Sequence, residues 1–401
     1  MSGTLKGRPC VRRWRRSAAV LFVVAIAMTA WSMRTEAHKP ITSPFTFKDD
    51  VLPIVQARCA SCHSPGGVGP MSLLTHADAV PWGESIRVEL MAGHMPPWGV
   101  ESSAERFRNL QRFPAREMNV LLTWASGGTP PGTGDAPAAP ARQREWSLGA
   151  PDVTLPLPEV TLPADAPERV EEFALDVPSR SLRAVDLMPG TPAIVRRATI
   201  SVRATADTRA AGATPERLLA LWLPGDHPVP LDAGMGFQVP PLAKLIVRVY
   251  YRKTWQYERQ TMTDRSTIGL YFAEPAAAEV SVLRVLAPVT GESEASFATT
   301  VNEDMRAIAL YADPDLSGAN VKVVAARPDG TREELIAFRP RAEWARRYWF
   351  REPITLPRGS RIQVTADFNE ERLLPPAAPR PEQAARTSLS LALNVVPPTR
   401  P

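Results

Sequence analysis

The chain has 401 residues, of which 42 are proline and three cysteine, and a formal net charge of +5. At roughly 150 residues per domain this length implies two or three domains, and three cysteines exclude a disulfide framework. Residues 1–37 hold seven Lys or Arg against one Glu, so the remainder is close to neutral and gives no reason to expect a nucleic-acid partner.

Residues 1–37 read as an export signal. Lys6, Arg8, Arg12, Arg13, Arg15 and Arg16 precede an apolar run from Ala18 to Ala30, and Thr35-Glu36-Ala37 offers a cleavage site. Trp31 and Met33 lengthen the apolar run, which leaves a retained signal anchor as the alternative. Either way the body is expected outside the cytoplasm, in the periplasm or otherwise exported, with membrane contact only if the signal is uncleaved. Cleavage removes Cys10 and leaves Cys59 and Cys62.

Residues 45–132 carry helical apolar spacing, at Val51, Ile54 and Val55 and again at Met118, Leu121 and Leu122, and read as a small all-α domain. Asp49 and Asp50 stand at the expected start of a helix, where carboxylates favour its positive end. Residues 133–147 are assigned to a linker, in a stretch rich in Gly, Pro and Ala with little apolar periodicity. From Trp146 onward the runs 194-IVRRATISV, 244-KLIVRVYYR, 266-STIGLYF, 306-RAIALYA and 387-TSLSLALNVV predict strands. Pro328-Asp329-Gly330 predicts a hairpin turn, and the proline content suits a loop-rich β-sandwich.

The sharpest motif is Cys59-Ala60-Ser61-Cys62-His63. In Cys-x-x-Cys-His, two thiols add to the vinyl groups of a haem and the next residue places its imidazole under the iron. A zinc half-site or a redox dithiol would need further cysteines or a thioredoxin-like βαβ context, and neither is present. For the sixth iron ligand the candidates are Met71, His76, Met91, His94 and Met95. Met95 is favoured because Pro96 and Pro97 stop the preceding helix and hold the loop extended. His94 is the rival, Met71 follows the motif too closely, and Met91 is expected in the helix core. Trp82 and Trp98 suit either core packing or a haem edge, and Arg87 is a candidate for a propionate contact.

Residues 45–132 resemble a class I cytochrome c, on Phe47 and the helix leading into the motif, on 68-VGPM, and on Val120, Leu121 and Trp124 in a closing helix. The resemblance implies that the Pro70 carbonyl accepts a hydrogen bond from His63 Nδ1, fixing the ring. It also implies a Met-Pro loop ligand, matched by Met95.

The region from Trp146 resembles the copper type II ascorbate-dependent monooxygenases, the peptidylglycine hydroxylating family. The stretches that carry this are 150-APDVTLPLP, 189-PGTPAIVRRATI, 222-WLPGDHPVP, 263-TDRSTIGLYFAE and 347-RYWFREPITLPRGSRIQVTADFNE. This resemblance implies an all-β double sandwich, jelly-roll-like, with domains at 148–288 and 289–398. Its copper ligands are replaced: Arg196, Arg197 and Tyr250 stand at the first site, Tyr311 and Asp313 nearest the second, and no methionine follows Met305. His227 is the single histidine after Trp146, in a loop composition that reads as surface. Guanidinium does not replace imidazole on copper, so copper is expected to be absent. Arg196 and Arg197 read as solvated strand charges or, alternatively, as a site for an anion or docking carboxylate, with strand alternation placing only one on each face.

The expected function is that of an exported monohaem c-type cytochrome passing electrons to a redox partner protein, with copper-free sandwiches as docking or scaffold module. Two alternatives stay open: a haem-bearing subunit of a larger periplasmic oxidase or monooxygenase complex, and a haem enzyme or ligand sensor with an open sixth site.

Overall fold

The computed structural model describes residues 42–97, 104–110, 113–134, 145–205, 216–275, 278–288, 294–368 and 388–398. The signal segment 1–37, Cys10, Trp98 and most of the linker lie outside the described residues. Among the described residues no helix is long and apolar enough to cross a membrane.

The structure is mostly β, with its principal helices in the N-terminal part. A π-helical turn, Phe47–Val51, runs into the helix Leu52–Arg58; further helices are Gly83–Met91 and Ala115–Ser126. Thr46 caps the first turn, its Oγ1 accepting from Asp49 N and its own N–H donating to Asp50 Oδ2 at 2.8 Å, so the two aspartates satisfy a helix start as their position suggests. Phe47, Val51, Leu52 and Val55 pack against Val120, Leu121 and Trp124 in one apolar cluster. Arg58 joins the same helices at the surface through Glu117 at 2.9 Å.

The strands form two sandwiches. In the first, the antiparallel sheet of Glu168–Asp176, Lys244–Arg252, Val195–Arg203 and Glu216–Trp222 faces Val153–Pro156, Thr267–Phe272 and Leu182–Met188. Alternate residues such as Ile200, Val202, Leu245 and Val247 meet Leu182, Leu187, Ile268 and Leu270 in one core. In the second, Ser281–Pro288, Ser388–Val396, Met305–Ala312 and Tyr348–Leu356 pack on Glu294–Thr300, Arg361–Asp367, Asn320–Ala326 and Arg332–Phe338. The 328–330 hairpin forms as its turn chemistry predicts: Gly330 has φ +84, and Asp329 Oδ1 accepts from Thr331 N and Oγ1.

Two assignments change. Ser281–Pro288, placed by the sequence in the 148–288 unit, pairs along its length with Ser388–Val396 and belongs to the second sandwich; its alternation specifies a strand but not which sheet receives it. Residues 104–110, inside the 45–132 span, lie on the second sandwich. Phe107 is fully buried there, stacks on Phe350 at 5.3 Å and pairs with it in a β-bridge. Asn109 Nδ2 donates to the Arg347 carbonyl at 2.7 Å, and Arg108 reaches Asp232 of the first sandwich at 2.6 Å. Phe107→Ala is therefore expected to destabilise the chain by about 3–5 kcal/mol, measured by denaturant unfolding of the exported protein.

Candidate functional site

Cys59 ends its helix by donating its N–H to Val55 O, and the N–H groups of Cys62 and His63 both return to Cys59 O, at 3.0 and 2.8 Å. This turn gathers both cysteines and the histidine within one loop. The cysteines are not joined to each other. Burial, followed by the neighbouring Cys62, pushes the Cys59 thiol up to about 12, which argues against a thiolate nucleophile. Burial lowers His63 below its ordinary value and so favours the neutral imidazole that binds metals.

The loop then folds over His63. Gly69 N donates to Cys62 O at 2.8 Å, and a Cβ on Gly69 would sit 2.7 Å from His63 Nδ1, so the approach requires glycine. The carbonyl facing Nδ1 is that of Met71, at 3.3 Å, and not that of Pro70 as the resemblance implies. Closure at Gly69 carries Pro70 outward, onto the wall of a neighbouring cavity, and brings the next carbonyl to the ring.

Met95 is partly buried against the same apolar cluster as Cys59, Ala60 and Met71. His94 is half exposed, its Nδ1 3.1 Å from Glu89 Oε2. His76 Nε2 is 2.8 Å from the Thr129 carbonyl. Met91, expected in the core, is 65% exposed, with its sulfur accepting from Arg87; the helix ends just beyond it, before the buried face returns to that angle. Arg87 is engaged by Glu84 at 2.6 Å, and Trp82 packs at the edge of the helical core.

The first sandwich presses on this turn. Pro224 O lies 3.6 Å from Cys62 Sγ, and Gly225, at φ +80, stands where a Cβ would be 2.6 Å from Ser61 Oγ. Arg196 supplies the second contact. A register shift between Val195 and Arg197 breaks strand alternation, and Arg196 Nη1 donates to Val68 O while Nε donates to Arg252 O at 2.9 Å. Arg197 Nη1 donates to Ala342 O and its guanidinium lies 5.2 Å from the Tyr250 ring centroid. Neither arginine is a solvated strand charge: the bulge turns the pair toward neighbouring backbone that alternation alone would leave out of reach. His227 is exposed, as its loop suggests.

Sequence reasoning missed this interface and the buried charges behind it. Arg346 reaches Asp226 at 2.5 Å, and Arg347 donates to the carbonyls of Leu219 and Leu218 among Phe237, Tyr311 and Trp349. Burial pushes Arg347 down to about 10. The only hint in the sequence is an Arg-Arg pair leading into 348-YWF. Among the described residues no three His, Cys, Asp or Glu side chains converge as a metal cage.

No protein-family model and no curated protein matches the chain. Among solved structures, a Bacteroides ovatus protein described as an alpha-L-fucosidase is 9% identical with a TM-score of 0.18, over 51% of this chain and 34% of its own. A Paenibacillus xanthan lyase is 12% identical with a TM-score of 0.18, over 67% of this chain and 28% of its own. The chain thus spans about a third or less of either protein, and likeness at that level carries no argument about fold or function.

Two variants test the geometry. Gly225→Ala is expected to destabilise the chain by roughly 1–3 kcal/mol through positive-φ strain and the Ser61 clash, with part of the cost recovered when Ser61→Gly is added, read from denaturant midpoints. Asp186, buried in the first sandwich, is pushed up to about 6 by burial against the opposing effect of its bonds from Leu187 N and Trp222. The folded chain keeps that proton to about pH 6, whereas the unfolded chain releases it near pH ~4. The folded state therefore binds more protons between these values, and stability from this group falls as pH rises through the window. Asp186→Asn is expected to abolish that fall, worth up to roughly 3 kcal/mol, in unfolding curves measured across the window.

Proposed function

We propose that the chain is an exported c-type cytochrome with one covalent haem that transfers electrons to a redox partner protein, and that its sandwiches are a docking or scaffold module without copper. The observation that carries this reading is the Cys59–His63 turn, in which two thiols and an imidazole share one loop and the Met71 carbonyl faces His63 Nδ1. That contact would fix the ring and leave Nε2 available to an iron.

The residues fit the group. Cys59 and Cys62 would provide the two attachment sulfurs, and Met95 a thioether from a partly buried position on the same apolar cluster as Cys59. His94 is the rival sixth ligand: the Glu89 carboxylate at its Nδ1 leaves Nε2 available, but the side chain is half exposed, whereas Met95 packs against the helical core. A haem held there supplies a one-electron couple, and a Met ligand sets its potential higher than a second His would. The chain's own contribution is to hold His63 in one orientation through Gly69 and Met71, and to seat Pro224 against Cys62 and Gly225 against Ser61.

Copper does not fit the positions the second resemblance points to. Arg196 and Arg197 spend their donors on the Val68, Arg252 and Ala342 carbonyls, and the Tyr250 hydroxyl donates to Glu168. Neither Val195–Arg203 nor Lys244–Arg252 carries a histidine.

Cys59→Ala with Cys62→Ala is expected to remove haem that survives denaturing electrophoresis when the chain is exported by a host with c-type haem maturation; haem stain retained by the double variant overturns the assignment. Met95→Ala is expected to open the iron to carbon monoxide while His94→Ala leaves the spectrum unchanged, and the opposite pattern would transfer the sixth-ligand role to His94.

A further inference from the structure

A cavity of about 380 Å³ opens where the 68–70 loop meets both sandwiches, within the size range of small-molecule sites. Each part of the fold gives it a wall: Pro70 from the helical part, Tyr250, Arg252 and Trp255 from the end of a first-sandwich strand and the turn after it, and Glu343 and Trp344 from the second sandwich.

Its composition selects a ligand class. Arg196, Arg252 and Lys253 line it against Glu258 and Glu343, an excess of one positive charge, which suits a monoanion better than a polyphosphate. The hydrogen bonds of Arg196 and Lys253 run to backbone carbonyls, which satisfy donors without cancelling charge. Arg252 is half exposed, with Glu343 no nearer than 4.0 Å. Burial and the charge of Arg252 push Arg196 down to about 10, as expected where positive potential accumulates.

Aromatic rings complete the wall. Trp255 is 59% exposed although it is a large apolar ring, and Trp344 also lines the cavity. Two tryptophan rings and a cationic excess are complementary to a planar ring bearing one carboxylate.

We propose that this cavity binds a small aromatic monocarboxylate, its ring against Trp255 and Trp344 and its carboxylate toward Arg252. The site does not require the haem, although Pro70 places it next to the loop that orients His63.

The test is calorimetric titration of the full exported chain with sodium 2-naphthoate. One saturable site is expected, with Arg252→Ala and Trp255→Ala each weakening it by about tenfold or more. Cyclohexanecarboxylate, which keeps the charge without the flat ring, and 2-naphthol, which keeps the ring without the carboxylate, are expected to bind more weakly by a similar factor. Both side chains are substantially exposed, and an unchanged thermal midpoint confirms that each variant folds. Absence of saturable heat at millimolar naphthoate, or equal binding by both folded variants, overturns the proposal. The heat of binding does not depend on iron, so failure here leaves the haem reading standing, and loss of the haem reading leaves this result intact.

Discussion

The Cys59–His63 turn is held from two sides by groups that belong to the first sandwich. Gly225 meets Ser61 where any side chain would collide, and the Arg196 guanidinium takes the Val68 carbonyl at the far end of the loop. Between these contacts lies His63 itself, and Gly69 and Met71, which close over the ring, follow directly on Val68, so the position of the imidazole depends on a strand bulge more than a hundred residues away in sequence. A turn of this kind on an isolated helix pair would keep its local hydrogen bonds but lose both outer constraints. The metal-binding chemistry proposed for it is therefore a property of the assembled fold.

The same arginine shows how a bulged strand accommodates a cation. A histidine on a bulged strand presents lone pairs, whereas an arginine in that place presents only donors and must find acceptors. Arg196, Arg197 and Arg347 find them in backbone carbonyls of neighbouring elements, and each joins parts of the chain distant in sequence. Such buried cations carry a desolvation cost, visible in the lowered pKa of Arg196 and Arg347, and they persist because removing any one would strand the carbonyls it satisfies.

What the sequence disclosed divides along the range of the interactions involved. Alternation in 244-KLIVRVYYR and 387-TSLSLALNVV, the Pro-Asp-Gly turn and the helical spacing around Val51 and Leu121 depend on near neighbours, and each became the expected element. The Cys-x-x-Cys-His spacing was legible for the same reason. The landing of Phe107 on Phe350, the sheet that receives Ser281–Pro288 and the contact of Pro224 with Cys62 are long-range choices that no local pattern encodes. The exchange of the Pro70 carbonyl for that of Met71 is a one-residue effect of how tightly a loop closes at Gly69, below the resolution of any motif.

The segment 104–110 gives the molecule a second mooring. Because it is threaded onto the far sandwich between two helices of the N-terminal part, that part is attached along its middle as well as at its C-terminal end. Modules joined only end to end can be exchanged like beads, each with its own surface. Here the seam runs through the interior of one module's chain, so the helical part cannot be lifted from the far sandwich without exposing Phe107 and Leu110.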